Sequence, residues 1–322
     1  GISMGRNRLL VGGCIAASVF FLLAAACSIV QAEFVTVAAG SATNSPETHA
    51  NGIFGAVPYT YDIGKYEVTA GEYVDFLNTV ATASDSYGLY NAAMTGSYGC
   101  KIQQSGTSGS YSYSVNATYA NRPVNFVSWY DAARYCNWLT SGDTESGAYQ
   151  FDASGDFSGI NRAVGLTVAL DGLVYTLPTE DEWFKAAYYD PTRSDADKYW
   201  FYPTQSDSVP GQDLNEDTGD LDPTNDGNNA NYDGATGDVP FLTEVGEFEL
   251  SASYYETFDQ GGNVTEWTET LNGNEYVFRG GSWYTDEHEM RASNRNDHPA
   301  GEEYDHLGFR VVALTAAAIP EP

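Results

Sequence analysis

The sequence predicts an α+β domain in which a few helices and several short strands are joined by long irregular segments. Three stretches carry the start signal and the apolar spacing of amphipathic helices. Other stretches show the short apolar patterns that are typical of strands. The segment 204–238 is rich in Asp, Asn and Gly and has neither pattern, which indicates a long loop.

The three predicted helices share one start signal, the capping box. In a capping box a hydroxyl side chain accepts a hydrogen bond from a free backbone N–H, and an acid three residues later reaches back to the cap. The pairs are Thr69 with Glu72, Ser128 with Asp131, and Thr179 with Glu182. Apolar residues then recur at helical spacing, which predicts a buried stripe, and Pro191 ends the third helix.

Short strands are predicted between and after these helices. The stretches 108–117 and 173–179 alternate apolar and polar residues. Near the end of the chain, 276–283 and 306–314 contain the short apolar runs of buried strands. No fixed period recurs, so a repeat architecture is not expected.

The composition is that of an acidic globular protein. The 322 residues include 44 Asp and Glu but only 14 Lys and Arg, which gives a net charge of −30. A surface of this charge repels a phosphate backbone, so we expect no nucleic acid partner. It favours cations instead, above all calcium, which takes hard oxygen ligands.

Residues 1–32 have the pattern of a signal peptide. Arg6 and Arg8 precede an uncharged apolar run, and Val-Gln-Ala at 30–32 offers the small residues that signal peptidase recognises. We therefore expect export, to the medium or to the cell surface, with cleavage before Glu33. The alternative is an uncleaved membrane anchor, because the apolar run is about long enough to span a bilayer.

Two cysteines lie beyond this segment, Cys100 and Cys136. In an oxidising compartment they can form a disulfide. The alternative is a buried thiol, since free cysteine packs as a small apolar side chain. The sequence leaves both interpretations open.

Six motifs follow one another in a specific order. They are YDIGKYEVTAGEYVDFLN (61–78), RPVNFVSWYDAARYCNWL (122–139), YTLPTEDEWFKAAYY (175–189), GGNVTEW (261–267), RGGSW (279–283) and LGFRVV (307–312). Their order resembles that of the formylglycine-generating enzyme family, also called sulfatase-modifying factors. The resemblance implies a variant of the C-type lectin fold over residues 53–314, preceded by a lead-in at 33–52.

The last residues carry a second, shorter resemblance. Ile-Pro-Glu-Pro at 319–322 resembles the start of a PEP-CTERM sorting signal. It implies that 315–322 begin a sorting tail, whose membrane helix and basic end would follow Pro322. Membrane anchoring through that segment is the expectation.

The family resemblance also bears on activity, through Thr285. Active members oxidise a cysteine of a client sulfatase to formylglycine, and they hold copper with two cysteines shortly after the Gly-Gly-Ser motif. Thr285 stands at the position of the first cysteine, and nothing in the segment that follows replaces the second. Thiolates suit Cu(I), whereas Thr, Asp and Glu are hard ligands. Thr265 is a second departure, because active members have tryptophan there.

The resemblance implies two structural calcium sites. The first uses the side chains of Asn231 and Asp238 with the carbonyls of Tyr232 and Pro240. The second uses the side chains of Asp259 and Glu266 with the carbonyls of Gly262 and Val264. The second set also has a chemical basis, because two carboxylates flank a glycine-bent turn that directs backbone oxygens to a hard cation. The alternative is that these acids are ordinary surface residues.

A ligand cleft is expected around the RGGSW motif. Ser282 and Arg291 align with residues that line the substrate cleft of active family members. With Trp283, Asn294 and Arg295 they form the predicted cleft, whose flat and forked side chains suit a peptide or a carbohydrate. The alternatives are that Trp267 and Trp283 belong to the core and that Arg279 and Arg310 pair with nearby acids.

The sequence therefore predicts an exported, non-catalytic ligand-binding protein at the cell surface, with structural calcium and without copper or iron. Iron is not expected because His49, His288, His298 and His306 lack ligand-like spacing. The alternative is a formylglycine-generating or non-haem iron oxidase of the same superfamily. The missing cysteine pair separates the two and favours the binding protein.

Overall fold

The computed structural model describes residues 33–40, 53–194, 198–213, 227–236 and 241–319. The predicted signal segment 1–32 and the terminal residues 320–322 lie outside this part of the chain. Among the described residues, no helix has both the length and the apolar character needed to cross a bilayer.

Four α-helices form in the described residues, and three of them begin at the predicted capping boxes. They are α1 (Ala70–Val80), α2 (Trp129–Ser141), α3 (Arg162–Val168) and α4 (Glu180–Tyr188). At α1, the N–H of Glu72 donates to the Thr69 hydroxyl at 3.2 Å, and the N–H of Thr69 donates to the Glu72 carboxylate at 2.8 Å. The same reciprocal bonds cap α2 and α4, so the predicted helix starts are confirmed.

The sequence analysis does not predict α3. The side chain of Asn161 caps it by accepting from the N–H of Val164 at 3.1 Å, but no acid completes a capping box. Arg162 in its first turn pairs with Glu182 at 3.1 Å and with Glu269 at 3.3 Å. Contacts with distant residues therefore hold α3 in place, and the sequence has no capping box that predicts it.

Twelve short strands form in the same residues. They are β1 (Phe34–Val37), β2 (Tyr61–Gly64), β3 (Ile102–Ser105), β4 (Ser112–Val115), β5 (Tyr149–Phe151), β6 (Phe157–Ile160), β7 (Val174–Thr176), β8 (Thr265–Asn272), β9 (Glu275–Arg279), β10 (Asn296–His298), β11 (Leu307–Gly308) and β12 (Val312–Leu314). One sheet has the antiparallel order β1-β2-β12-β7. The other has the order β10-β9-β8-β11, with β11 parallel to β8. The hairpins β3–β4 and β5–β6 complete the predicted α+β fold.

Part of the predicted lead-in belongs to the first sheet. In the β1–β2 pair, Phe34 lies opposite Gly64 and Val37 lies opposite Tyr61. Val37 is fully buried, and the Phe34 ring packs on Tyr175 at a centroid distance of 5.9 Å. The sheet that supports the domain therefore begins before residue 53.

Aromatic rings join α1 and α2 in the main core. Tyr73 stacks on Tyr135 at 6.0 Å, and Phe76 meets the edge of Tyr135 at 5.3 Å.

Cys100 and Cys136 lie in the same core as free, fully buried thiols. Burial raises the pKa of the Cys100 thiol to about 11 and the pKa of Cys136 well above its ordinary value. Of the two interpretations left open, the structure has the core thiols and not the disulfide.

A fully buried ion pair joins the two sheets through Glu266 on β8 and Arg310 between β11 and β12. The guanidinium donates to both carboxylate oxygens at 2.6 Å, and neither side chain is exposed. Arg310 also donates to the carbonyls of Gly64 at 2.9 Å and Phe258 at 2.8 Å. The indole N–H of Trp183 donates to Glu266 at 2.7 Å. One arginine thus ties β2, β8 and the loop after Phe258 together.

The first prediction concerns this pair. Arg310→Met should lower the free energy of unfolding by about 3–5 kcal/mol, because it leaves the Glu266 carboxylate buried without its counter-charge. Lys65→Met is the matched control, since Lys65 pairs with Glu33, whose side chain is 60% exposed, and an exposed pair contributes at most about 1 kcal/mol. Denaturant unfolding of both variants measures the difference. Equal losses would contradict the importance of the buried pair.

Asp131 is a buried acid with a strongly shifted pKa. It closes the capping box of α2 and is 3% exposed. Burial first, and also the Glu303 carboxylate, raise its pKa to about 7 against the hydrogen bonds from Ser128 and the charge of Arg134, which lower it. An unfolded Asp has a pKa of about 3.9. Between these two values the folded chain binds more protons than the unfolded chain, so stability falls as pH rises.

The second prediction follows from this sign. The stabilisation from protonated Asp131 is complete below the unfolded pKa and is lost as the pH rises through the folded value. Asp131→Asn should therefore flatten the fall in unfolding free energy between about pH 4 and pH 7, measured by denaturant titration at several pH values. Asp143→Asn, an exposed site just after α2, is the control. If both variants showed the same dependence of unfolding free energy on pH as the wild type, Asp131 would not be its source.

Candidate functional site

The RGGSW motif forms a tight turn directly after β9. Gly280 and Gly281 have φ values of +104° and +68°, which L side chains rarely adopt. A Cβ on Gly280 would lie 2.9 Å from the carbonyl oxygen of Gln260. The glycines therefore let the turn pack closely against the loop 258–264, where the N–H of Gly262 donates to the Gly280 carbonyl at 2.9 Å.

The loop 258–264 lies against Asn231, which brings parts of the two predicted calcium sites together. A Cβ on Gly262 would stand 2.3 Å from the Asn231 carbonyl oxygen, and the N–H of Asn263 donates to that oxygen at 2.8 Å. The Asn231 side chain is buried, and its Oδ1 atom has no hydrogen-bond partner. The Tyr232 carbonyl accepts from Ala235 N–H and from the Gln212 amide. The other two predicted ligands of the first site, Asp238 and Pro240, lie outside the described residues.

The acids of the second predicted calcium site have different surroundings. Both oxygens of Glu266 are held by Arg310. Asp259 accepts a hydrogen bond from the N–H of Gly246 at 2.5 Å, and burial raises its pKa to about 6. Gly262 and Val264, whose carbonyls complete the predicted set, are both buried. Of the two acids in this set, Asp259 therefore accepts fewer hydrogen bonds.

Glu67 is a third acid in this interior, and sequence reasoning did not single it out. It is 2% exposed, and neither of its carboxylate oxygens has a hydrogen-bond partner. Burial first, then the charges of Asp259 and Glu266, raise its pKa well above the ordinary value, although Arg310 opposes the shift. A neutral carboxyl group is the form that this environment favours.

Thr285 closes the turn that follows RGGSW. Its hydroxyl accepts a hydrogen bond from the N–H of Ser282 at 2.8 Å and donates to the Ser282 carbonyl at 3.3 Å. The turn is fixed to a neighbouring loop, since the N–H of Gly234 donates to the Trp283 carbonyl at 2.7 Å and that of Asp233 to the Thr285 carbonyl at 2.9 Å. Both hydrogen-bonding functions of the hydroxyl are thus used within the turn.

The two tryptophans near this turn have different environments. Trp267 is fully buried, and its indole N–H donates to the Val127 carbonyl at 3.1 Å, so it is a core residue. Trp283 is 5% exposed and stacks on Tyr98, whose side chain is 48% exposed, at a centroid distance of 5.5 Å. Phe241 packs on it at 4.7 Å. Trp283 therefore supports an aromatic surface from below.

Arg295 belongs to a network centred on Glu180 at the start of α4. Arg295 donates to both Glu180 oxygens at 2.9 and 2.8 Å, and Arg279 donates to one of them at 2.7 Å. Both guanidinium groups lie over the Phe54 ring, at 5.4 Å for Arg295 and 4.8 Å for Arg279. Arg279 and Arg295 therefore both pair with an acid, and the ion pair with Glu180 holds Arg295 against the start of α4.

The remaining predicted cleft residues are less constrained by ion pairs. Arg291 is partly exposed and lies 5.7 Å from the Phe201 ring and 5.8 Å from the Tyr202 ring. The Asn294 side-chain oxygen accepts from the Asn296 amide at 3.2 Å. Ser282 is fully buried and Trp283 is 5% exposed, whereas Arg291, Asn294 and Arg295 are partly exposed.

The two cysteines of the described residues, Cys100 and Cys136, are fully buried, and burial raises the pKa of both thiols. Within the described ranges, no three side chains among His, Cys, Asp and Glu converge in a way that suits metal binding. Thr265, at the other departure from active members, is buried and donates its hydroxyl to the His306 carbonyl at 2.8 Å.

A row of aromatic rings beside the turn was not predicted. It is called the aromatic strip here and consists of Phe241, Tyr98, Trp283, Tyr284, His306, Tyr304 and His298. The members come from four separate segments of the chain, so no sequence period marks them. The only available signal was composition, since the chain contains 24 tyrosines.

Of three similar solved structures, the first supports the fold. Treponema denticola variable protein 1 is 21% identical with a TM-score of 0.51, over 87% of this chain and 94% of that chain. PvdO from Pseudomonas aeruginosa is 17% identical with a TM-score of 0.49, over 87% of this chain and 93% of that chain. CarF is 22% identical with a TM-score of 0.48, over 87% and 97%. At these identities the likeness concerns the fold alone. No match was found among curated protein sequences.

The sequence profile of the sulfatase-modifying factor enzyme 1-like domain matches residues 21–314. This range contains all six motifs, the buried Glu266–Arg310 pair and the turn around Thr285. The chain therefore belongs to the sulfatase-modifying factor enzyme 1-like domain family.

Proposed function

We propose that this protein is an exported, non-catalytic ligand-binding member of its family. The proposal rests on the contacts of Thr285. At the position where active members have a copper-binding cysteine, this chain has a hydroxyl group that accepts from and donates to Ser282 within one turn. The position serves the backbone geometry instead of a metal.

The chemistry of the two side chains explains why this replacement matters. A thiolate is a soft ligand that suits Cu(I), and it forms because the thiol ionises near neutral pH. A threonine hydroxyl remains protonated and is a hard, weak ligand. To act as a nucleophile, Thr285 would need a base, but its proton is already donated to the Ser282 carbonyl. These contacts support a binding role over an oxidase.

The ligand face proposed here lies at the turn that contains Ser282 and Trp283. Its rigid base comes from the double glycine and from the hydrogen bonds to the loop at 233–234. Surfaces carried by a fixed scaffold are the usual places for ligand binding in such folds. We assign it a peptide or carbohydrate ligand, with Arg291 and Asn294 as further polar contacts. The net charge of −30 argues against nucleic acid.

Structural calcium is part of the proposal. At the first site, the buried Asn231 Oδ1 atom without a partner is the ligand atom that the family pattern requires. At the second, Asp259 offers the carboxylate, while Arg310 neutralises Glu266. When bound, calcium supplies a hard positive charge that holds oxygen ligands of separate loops together. Export rests on the basic start and apolar run within residues 1–32 and on the sorting-type tail.

The third prediction tests the chemistry. A sulfatase-type peptide with a reactive cysteine should not be converted to formylglycine by the purified protein, even with copper supplied. The reason is that the thiolate pair is missing and the Thr285 hydroxyl is committed to its turn. Peptide mass measurement detects the product.

The control for this assay is Thr285→Ala, run beside an active family enzyme as positive control. The variant should give the same background as the wild type. Turnover by the wild type that Thr285→Ala loses would overturn the non-catalytic assignment and make Thr285 a reactive residue.

The fourth prediction concerns calcium. A chelator should lower Tm by roughly 5–10 °C relative to calcium at about 100-fold above its Kd, because calcium binds only the folded state. Asn231→Ala should remove part of this response by deleting the orphaned ligand atom. Asn272→Ala is the control, since its exposed amide donates to Asp297 instead. Identical melting curves with and without chelator would rule out structural calcium.

A further inference from the structure

The aromatic strip is continuous from ring to ring. Phe241 and Tyr98 pack on Trp283 at centroid distances of 4.7 and 5.5 Å. Trp283 meets Tyr284 at 5.6 Å, and Tyr284 meets His306 at 6.3 Å.

The second half of the strip consists of His306, Tyr304 and His298. Tyr304 stacks on His306 at 5.4 Å with an interplanar angle of 10°, and it meets His298 at 5.1 Å. His298 in turn stacks on Phe278 of β9 at 4.9 Å, which joins the strip to the sheet. The seven rings are thus connected by contacts from Phe241 to His298.

The rings of the strip differ in the fraction of their surface that is exposed. Tyr284 and Tyr98 are 68% and 48% exposed, and both are among the most exposed large apolar side chains of the described chain. Trp283 between them is 5% exposed and forms their support. Exposed aromatic rings in contact with one another over several residues indicate an interaction surface, whereas single exposed rings do not.

The strip is held rigid through its polar edges. The His306 ring nitrogen Nδ1 is 3.0 Å from the Asp305 carboxylate, and the Trp283 N–H donates to the Asp305 carbonyl at 3.3 Å. The Tyr98 backbone carbonyl accepts from the buried Asn125 amide at 2.7 Å, which fixes the backbone that carries the Tyr98 ring. The polar edges of Trp283 and His306 are thus anchored before a ligand binds.

We infer that the aromatic strip binds a neutral carbohydrate chain by stacking sugar rings on Tyr98, Tyr284 and Tyr304. This assignment rests on the proposed function and specifies its ligand class. A pyranose ring offers a flat C–H face to an aromatic ring and hydroxyl groups to the carboxylates and carbonyls at its edge. An extended chain of such rings matches an extended row of aromatic faces.

Charge separates this ligand from the alternatives. A polyanionic glycan is repelled by a protein of net charge −30. A basic peptide needs carboxylates free to form ion pairs, but the Asp305 carboxylate beside the strip already lies 3.0 Å from His306 Nδ1. An uncharged ligand that uses ring faces and hydroxyl groups requires neither a counter-charge nor an open pocket.

The test uses the purified protein in calorimetric titrations with a panel of neutral oligosaccharides: cellohexaose, xylohexaose, mannohexaose and N-acetylchitohexaose. An oligolysine peptide is the competing probe. We expect at least one oligosaccharide to bind, with an affinity that changes little between low and high salt, because no ion pair forms.

The variants locate the binding. Tyr98→Ala and Tyr284→Ala should each weaken the affinity by about threefold to tenfold, the range expected for losing one ring contact. Tyr284→Phe should bind as the wild type does, because the ring is kept. Tyr254→Ala is the matched control, since Tyr254 is 37% exposed and has its ring contact with Tyr255, outside the strip. Circular dichroism checks that each variant is folded.

Each outcome decides the assignment. Oligosaccharide binding that the Tyr98 and Tyr284 variants weaken and the Tyr254 variant keeps supports it. Binding by no member of the panel, or binding that the strip variants leave unchanged, overturns it. Salt-sensitive binding of oligolysine through the strip would replace the carbohydrate by a basic peptide and leave the proposed function intact. Oxidation of the cysteine peptide would remove the proposed function itself.

Discussion

The ion pair between Glu266 and Arg310 is the interaction on which the rest of the domain depends. Both side chains are fully buried, so each charge relies on the other and on the carbonyls that Arg310 reaches. Glu67 and Asp259 share this interior, and their pKa values are raised first by burial and then by neighbouring carboxylates. Arg310 also holds the start of the loop after Phe258, because it donates to the Phe258 carbonyl at 2.8 Å.

The features that the sequence predicts well are those with local causes. The three capping boxes act within four residues, and the double glycine of RGGSW allows a backbone conformation that its own residues adopt. Helix α3 was missed because Arg162 depends on Glu182 and Glu269, far along the chain. Arg295 looked available to a ligand because its partner Glu180 is 115 residues away. The aromatic strip was missed for the same reason, since it is assembled only by the tertiary fold.

The turn around Thr285 combines the Gly-Gly-Ser-Trp frame of the family with a hydroxyl at position 285. The glycines, Ser282 and the loop at 233–234 hold this turn through backbone contacts that do not involve a metal. A hydroxyl at position 285 satisfies the Ser282 N–H, a bond for which a thiol is a weaker acceptor. The backbone geometry at position 285 therefore does not require a cysteine, and family membership alone does not establish activity.

The close contact between Gly262 and Asn231 joins the two loops that carry the predicted metal ligands. No side chain separates their backbones, and the N–H of Asn263 donates to the same carbonyl at 2.8 Å. A cation that orders one loop therefore acts on the other, and such coupling is reciprocal in free energy. Because Asp233 and Gly234 also hold the turn at 282–285, the same contacts reach the proposed ligand face. Were calcium to bind as proposed, the affinity of that face would depend on the calcium concentration around the protein.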